Sequence, residues 1–189
     1  MRSSRNKSVF MGALMFAVAV CPWQSAGASE EAYSWESFGL GEVNGLKARV
    51  QRLEDIEEIK FLKHRYIVLI DEVIADPSAA VEFVSLFADD FVVEYDNFGV
   101  YTDKADLQEF LEDVISPAFA WGFHAAHNPR IEVDGDEATA EWYFTADAVY
   151  TGTNETVPFY GRYVDTYVRT CEGWKISSTI LAFDSPPLL

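Results

Sequence analysis

Two of the three histidines in this 189-residue chain lie three positions apart in the segment FHAAHNP, residues 123–129. The third, His64, shortly precedes a tyrosine and an aspartate in the segment LKHRYIVLID. Imidazole, carboxyl and phenol groups are side chains that enzymes use to move protons. The sequence therefore suggests a His–Asp–Tyr proton-transfer site, and the segments around these residues must hold it inside a hydrophobic pocket.

The two neighbouring histidines cannot share one face of a regular strand, because side chains alternate between the faces. Strict alternation places His127 on the apolar face with Ile131 and Val133, and leaves His124 on the polar face. A bulge at Asn-Pro, residues 128–129, would reverse this assignment. Opposite faces also argue against a metal held by the H-x-x-H pair, and no neighbouring cysteine or acidic cluster completes a ligand set. We therefore expect no metal and no cofactor.

The acidic composition argues against two classes of partner. The chain has 14 Lys and Arg residues against 31 Asp and Glu residues, which gives a formal net charge of −17. Such a surface repels nucleic acids and anionic membranes, so we expect no nucleic acid and no membrane among the partners of the mature protein.

The first 28 residues have the three parts of a secretory signal peptide. The basic segment MRSSRNK precedes the apolar run SVFMGALMFAVAVC, and SAGA ends in a small-x-small pattern that predicts cleavage after Ala28. An uncleaved membrane anchor is the alternative. Cleavage predicts a secreted or periplasmic protein. Residues 29–45 lack periodicity and are expected to form a mobile leader, which is followed by one domain over residues 46–189.

Apolar residues recur every three or four positions from Leu46 onward, which predicts an amphipathic helix that ends near Asp71. A second helix is expected at Pro77, and a third over TDKADLQEFLEDVI. From residue 123 the chain consists of aromatic and β-branched stretches separated by short turns such as DGDE, which predicts long strands. Helices followed by strands indicate an α+β fold, with helices packed on one face of a strongly curved antiparallel sheet.

The segments RYIVLID, HNPRIEVDGDEATAEWYF and GRYVDTYVRTCEGWKI, in this order, resemble the SnoaL-like branch of the nuclear-transport-factor-2-like superfamily. This branch includes scytalone dehydratase, bile-acid 7α-dehydratase and lindane dehydrochlorinase. The resemblance covers roughly residues 46–183. It implies a cone in which the sheet wraps around the N-terminal helices and encloses an internal pocket.

The resemblance also implies which residues form the site. In these enzymes a histidine early in the first long strand is the base, and an aspartate at the end of the first helix orients it. These positions are His124, five residues before Pro129, and Asp71. A tyrosine five residues before the aspartate, which lines the pocket of the bile-acid enzyme, corresponds to Tyr66.

Other family positions are not kept. The second aspartate of the bile-acid enzyme corresponds to Ala146, with Asp147 one place later, so the sequence leaves open whether Asp147 replaces it. The arginine on the last strand of that enzyme aligns with Phe183, and the arginine of the dehydrochlorinase aligns near Thr179. The groups that would act on a leaving group therefore differ, and the substrate is left open.

The implied activity is that of a cofactor-free lyase, with dehydration as the first expectation and isomerisation or cyclisation next. Asp71 would hold Nδ1 of His124, Nε2 would remove a proton, and Tyr66 would donate a hydrogen bond to the developing oxyanion or the departing hydroxyl. The substrate would be a small apolar or ring-containing molecule. The expected pocket residues are Trp121, Phe123, His127, Trp142, Phe144, Asp147, Tyr160, Tyr163 and Phe183.

Two other interpretations remain open. The domain is either a non-catalytic binding module for a small apolar ligand or a purely structural domain, because one fold serves many functions. Strands with aromatic and β-branched residues on both faces also predict self-association, as a dimer through the outer face of the sheet.

Overall fold

The computed structural model describes residues 36–153 and 155–184. The predicted signal peptide and the start of the predicted leader lie outside the described residues. No helix among the described residues is long and apolar enough to cross a membrane.

The first helix, α1, is longer than the sequence predicts. It spans Glu36–Ala75, 40 residues, or about 60 Å at 1.5 Å per residue. The prediction that residues 36–45 lack regular structure is therefore wrong. The residues that follow, in LKARVQRLEDIEE, are mostly good helix formers, and a helix once nucleated adds one hydrogen bond for each further residue, so it can continue through the glycines at positions 41 and 45.

Only the C-terminal part of α1 packs into the domain. All residues from 41 to 54 are exposed, so the expectation that Leu46 begins a buried face is wrong. Burial begins at Asp55, and Ile59, Leu69 and Val73 are fully buried. The N-terminal part projects beyond the sheet and has no surface to pack on.

Short helices connect α1 to the sheet and close one end of the domain. Asp76 accepts a hydrogen bond from the Ser78 main-chain nitrogen and so caps a 3₁₀ turn. Asp103 caps the next helical segment by accepting from two main-chain nitrogens. The segments are the 3₁₀ turn Pro77–Ala79, α2 (Ala80–Ser85), α3 (Lys104–Phe110), a π-helical turn (Leu111–Ile115) and α4 (Ser116–Ala118).

Six strands form one curved, open sheet, in the order β2-β1-β6-β5-β4-β3. The strands are β1 (Phe87–Tyr95), β2 (Gly99–Tyr101), β3 (Phe119–Asp134), β4 (Glu137–Tyr150), β5 (Thr156–Thr170) and β6 (Gly173–Phe183). The predicted α+β fold is confirmed. The sheet is mixed, however, because β1 pairs parallel to β6 whereas the other neighbours are antiparallel. β1 enters from the helices, whereas β6 ends a run of hairpins, so no turn fixes their relative direction.

The core lies between the helices and the concave inner face of the sheet. Alternate residues of β4 and β5 point inward and are buried, as the period of two requires. The opposite, outer face of the sheet carries exposed apolar side chains, including Val164 and Ile180, which are neighbours on β5 and β6.

Candidate active site

A cavity of about 80 Å³ lies between α1, α3, the π-helical turn and the inner face of the sheet. This is roughly five to eight times the space that one water molecule needs by the same measure. Apart from one histidine and three tyrosines its lining is apolar. The lining residues are Tyr66, Ile70, Ile74, Tyr95, Phe98, Phe110, Leu111, Ile115, Phe119, His124, Phe144, Ala148, Phe159, Tyr163, Leu181 and Phe183.

His124 lies on β3 at the wall of this cavity and is held by Asp71. Its Nδ1 lies 2.6 Å from Oδ1 of Asp71, and its main-chain nitrogen donates to Oδ2 at 3.2 Å. A carboxylate oxygen only accepts, so the ring proton resides on Nδ1 when the imidazole is neutral. Nε2 is then the nitrogen that carries a lone pair.

A β-bulge decides which of the two neighbouring histidines faces inward. Between His127 and Arg130, β3 gains one residue over β4, and Asn128 has φ of +52°. Before the bulge His124 points inward; after it the odd-numbered Ile131 and Val133 pack against the core. His127 is exposed and stacks on Tyr143, with ring centroids 5.9 Å apart. Strict alternation therefore gives the wrong histidine, because the extra residue exchanges the faces.

Gly122 allows β3 to approach α1 closely beside this pair. A Cβ atom at Gly122 would clash with Cδ1 of Ile74 and would lie 3.8 Å from Oδ1 of Asp71. Gly122 was not among the residues predicted from the sequence. Its signal is a glycine inside an otherwise aromatic strand, which commonly marks a close approach of another backbone.

Asp71 lies within α1, although the sequence predicts that the helix ends near this residue. The helix continues to Ala75, so no chain reversal is needed to bring Asp71 and Tyr66 to one site. The two residues lie about 140° apart around the helix. Tyr66 reaches the cavity through the buried side of α1, whereas Asp71 lies behind His124 at the partly exposed edge, with 27 % of its side chain accessible.

Tyr66 and Tyr95 form a pair of hydroxyl groups at the cavity, with 2.7 Å between their oxygens. Burial raises the pKa of Tyr66 well above its usual value, and burial likewise raises the pKa of Tyr95 and of Tyr163. These phenols are therefore neutral at physiological pH and act as hydrogen-bond donors rather than bases. One hydroxyl of the pair donates its hydrogen to the other. The hydrogen of the accepting hydroxyl is not used in this bond.

A buried ion pair lies beneath the tyrosines. Nζ of Lys63 lies 2.9 Å from Oδ2 of Asp165, and both side chains are at most 1 % exposed. Burial lowers the pKa of Lys63, and the charge of Asp165 opposes this effect. Asp165 also accepts hydrogen bonds from Tyr167 and Thr179. Nζ of Lys63 lies 3.4 Å from the ring centroid of Tyr163 and 4.3 Å from that of Tyr66.

This ion pair was not predicted from the sequence, although both residues carry a signal. Lys63 lies on the buried stripe of α1, four residues after Ile59 and three before Tyr66. Asp165 alternates with Tyr163 and Tyr167 on the inward face of β5. A charged residue at an inward position of each element indicates a buried pair.

Several predicted pocket residues lie elsewhere. Trp121 and Phe123 are 51 % and 56 % exposed on the outer face of the sheet. Register shifts occur at Phe119/Trp121 and at His127/Arg130, and between them the inward positions of β3 are even-numbered. Asp147, opposite Phe123 on β4, is exposed too, so it does not replace the family's second aspartate. The position of that aspartate, Ala146, is the inward one.

The remaining expected wall residues divide into three groups. Phe144, Tyr163 and Phe183 line the cavity as predicted. Trp142 points inward but is buried in the core away from the cavity lining. Tyr160 is exposed and lines a second, outer cavity instead.

Three phenylalanines separate the inner cavity from the outer one. Phe98, Phe159 and Phe183 line both, and Phe183 lies 5.8–6.2 Å from the other two rings. Phe98 lies on the turn between β1 and β2. The boundary between the two cavities is therefore aromatic and apolar. Within the described residues, no three His, Cys, Asp or Glu side chains converge as ligands for a metal ion.

Comparisons with known proteins agree with this architecture. The model of the SnoaL-like domain family matches residues 51–180. A hexachlorocyclohexane dehydrochlorinase (LinA-type3) from Novosphingobium barchaimii LL02 is 18 % identical, with a TM-score of 0.64 over 72 % of this chain and 91 % of that one. An NTF2-like superfamily protein from Salmonella enterica is 18 % identical, with a TM-score of 0.62 over 73 % and 96 %.

A third solved structure is more similar in sequence. A protein named as a candidate scytalone dehydratase, from Novosphingobium aromaticivorans, is 26 % identical, with a TM-score of 0.63 over 71 % of this chain and 87 % of that one. The family match covers more than half of the chain, and the curved sheet with its helices is the fold of these relatives. The chain belongs to the SnoaL-like domain family of the nuclear-transport-factor-2-like superfamily.

Proposed function

We propose that the protein is a cofactor-independent lyase that removes a proton from carbon in a neutral, ring-containing molecule, with dehydration as the principal reaction. Isomerisation and cyclisation begin with the same proton removal. The observation that supports this proposal most strongly is the bond between His124 and Asp71 at the wall of an apolar cavity. The relatives named as a dehydrochlorinase and as a candidate scytalone dehydratase favour the same class of chemistry.

In the proposed reaction, Nε2 of His124 takes the proton from a carbon next to an electron-withdrawing group. The electron pair of the C–H bond forms a carbon–carbon double bond, and the neighbouring C–O bond breaks. The departing hydroxyl takes this proton back from the imidazolium and leaves as water, while the Tyr66–Tyr95 pair donates a hydrogen bond to it. Asp71 stabilises the imidazolium and holds the ring in position, as the orienting acid does in catalytic triads.

The cavity lining favours a neutral substrate. None of the residues that line the cavity is Lys, Arg, Asp or Glu, so a carboxylate or phosphate would be buried without a counter-charge, at a cost of several kcal/mol. Aromatic side chains provide flat apolar walls that suit a ring. The neutral phenols provide the hydrogen-bond donors for a carbonyl or hydroxyl oxygen.

The test begins with native mass spectrometry of the purified protein, which would reveal a co-purified ligand and its chemical class. Neutral hydroxylated cyclic ketones of that class are then assayed for loss of water, with His124→Ala against the matched control His127→Ala. We expect turnover to fall by about 10²-fold or more in His124→Ala and to be unchanged in His127→Ala. Undiminished turnover in His124→Ala would refute the proposal.

A binding module for a small apolar ligand is the second candidate. It is favoured by the inward positions of Ala146 and Phe183, where the bile-acid enzyme of this family has polar groups. In that case the ligand found by mass spectrometry would be recovered unchanged after incubation, and no hydrogen on its carbons would exchange in deuterated water. Exchange that depends on His124 would exclude this second candidate.

We further propose that the chain is exported and matured by cleavage after Ala28, from the basic, apolar and small-residue segments at its start. N-terminal sequencing of the exported protein should begin at Ser29. A sequence that begins at Met1 would show that this proposal is wrong.

A further inference from the structure

Four apolar residues form a stripe on the projecting part of α1, where nothing in the described domain covers them. Val43 and Leu46 are 60 % exposed, Val50 is 45 % exposed and Leu53 is 63 % exposed. Over residues 41–54 every residue is exposed. A helix of this length with glycines at positions 41 and 45 is only marginally stable alone in water, so a partner on the stripe would stabilise it.

The spacing of these residues is that of a coiled coil. Steps of three, four and three place valine at both a positions, 43 and 50, and leucine at both d positions, 46 and 53, of two heptads. β-branched residues at a with leucine at d favour parallel two-stranded coiled coils. The next a and d positions are occupied by Glu57 and Lys60, so the apolar stripe ends there. These two residues form a salt bridge, with 2.7 Å between Nζ of Lys60 and Oε1 of Glu57.

The charges beside the stripe are self-complementary. In a parallel pair, each g residue faces the e residue of the following heptad on the other helix. Glu42 at g then faces Lys47 of the second copy, and Arg49 at g faces Glu54 of the second copy. Both contacts join opposite charges, and the four charges sum to zero, a pattern that suits another copy of the same helix better than an anionic lipid surface.

We infer that two copies of this chain pair through Val43, Leu46, Val50 and Leu53 as a short parallel coiled coil. This pairing uses a surface separate from the cavity and from the outer face of the sheet. It does not depend on the proposed catalytic function.

The first test is the molar mass of the purified protein in solution, measured by light scattering and sedimentation. The variant Leu46→Gln with Leu53→Gln keeps good helix formers but removes the apolar d positions. Its matched control, Asn44→Gln with Ala48→Gln, changes two exposed residues away from the stripe. We expect the first variant to halve the mass and to weaken self-association on the order of 100-fold, and the control to keep the parental mass.

The comparison is repeated in a background with Val164→Glu and Ile180→Glu on the outer face of the sheet, so that pairing there cannot mask the loss. All four substituted helix positions are exposed, and far-ultraviolet circular dichroism should show an intact domain in both variants. A mass that is the same in the stripe variant and its control, in both backgrounds, would overturn the inference.

The second test determines orientation with charge reversals. In a parallel pair, Glu42→Lys repels Lys47 and Lys47→Glu repels Glu42, so each variant alone should associate several-fold more weakly. A mixture of the two should recover, because each helix then faces opposite charges. In an antiparallel pair Glu42 faces Arg49 instead, so mixing the two variants would not restore association. Failure of the mixture to recover would therefore contradict the parallel arrangement.

Lipid binding provides the remaining outcome. Vesicles of phosphatidylcholine and phosphatidylglycerol should not retain the protein. If they do, and if Leu46→Gln with Leu53→Gln abolishes this retention without changing the mass, the stripe binds a membrane surface and the inference is overturned.

Discussion

Asp71 accepts two hydrogen bonds from one residue, from the ring and from the main-chain nitrogen of His124. The main-chain bond fixes the carboxylate relative to β3, and the ring bond fixes the imidazole relative to the carboxylate. Two linked contacts of this kind restrict the ring more than a single bond can. The pair therefore has the rigidity that a positioned base requires.

Asp71→Asn should reduce turnover with little effect on substrate binding. The amide can accept from the ring or donate to it, so it no longer enforces the proton on Nδ1 and cannot stabilise an imidazolium. We expect kcat to fall by about 10²-fold or more and KM to change little. Equal kcat values for Asp71→Asn and the parent protein would show that Asp71 does not orient the base.

Lys63→Met should destabilise the protein strongly, because it leaves Asp165 buried without its counter-charge. Breaking a buried pair in this way costs about 3–5 kcal/mol. The double variant, Lys63→Met with Asp165→Asn, removes both charges. Its loss of unfolding free energy should be smaller than the sum of the losses in Lys63→Met and in Asp165→Asn. Urea unfolding of the four proteins measures this coupling, and additive costs would contradict it.

Asn128 should tolerate glycine but not alanine. Its φ of +52° lies in the left-handed region, which asparagine and glycine adopt more readily than other residues. Asn128→Ala should lower the free energy of unfolding by about 1 kcal/mol, whereas Asn128→Gly should be close to neutral. The opposite order in thermal or urea unfolding would place the bulge elsewhere.

Asp55 should make stability depend on pH in the acidic range. Burial raises the pKa of Asp55, but hydrogen bonds from Arg169 and Gln51 and the charge of Arg169 outweigh it, so that the pKa is lowered from 3.8. A lowered folded pKa means that the stabilisation is complete above the unfolded value and is lost as the pH falls through the folded value.

The matched variant is Asp55→Asn. It should be less stable than the parent at pH 7, by about 1–3 kcal/mol, and the difference should shrink as the pH falls below 3.8. A difference that is constant between neutral and strongly acidic pH would show that the charge of Asp55 contributes nothing.

The outer face of the sheet should also mediate self-association. Val164 and Ile180 are 49 % and 41 % exposed and lie side by side, and an exposed apolar pair can mark an interaction site. Val164→Glu with Ile180→Glu should reduce the solution mass, whereas the control Thr139→Glu, also exposed on β4, should not. A parent protein that is monomeric at micromolar concentration would refute this prediction.

The sequence predicts the α+β fold well because the periods of three to four and of two are strong in α1 and in the strands. It predicts the length of α1 poorly, because periodicity does not show where a helix leaves its domain. Leu46 and Leu53 have the same apolar pattern as Ile59, but only Ile59 has a sheet to pack on. The parallel pairing of β1 and β6 joins distant segments, and no local signal records it.

The catalytic candidate could be predicted because the family motif and the signal for a β-bulge in the sequence select the same histidine. The resemblance selects His124, and Asn128-Pro129 provides the bulge that turns it inward. The same bulge shifts the inward positions of β3, so Trp121 and Phe123 cannot be assigned by treating all aromatic residues as pocket walls. The Lys63–Asp165 pair depends on two elements meeting, which the sequence indicates only through a charged residue at an inward position of each.

The most direct test of the central claim is the protonation state of His124 in the free protein, which requires no substrate. Long-range proton–nitrogen correlation spectra of nitrogen-15-labelled protein distinguish the two neutral tautomers, and His64→Gln and His127→Gln variants assign the signals. We expect neutral His124 to carry its proton on Nδ1, and this preference to be lost in Asp71→Asn. A proton on Nε2, or a tautomer that is unchanged in Asp71→Asn, would contradict the assignment of His124 as a base oriented by Asp71.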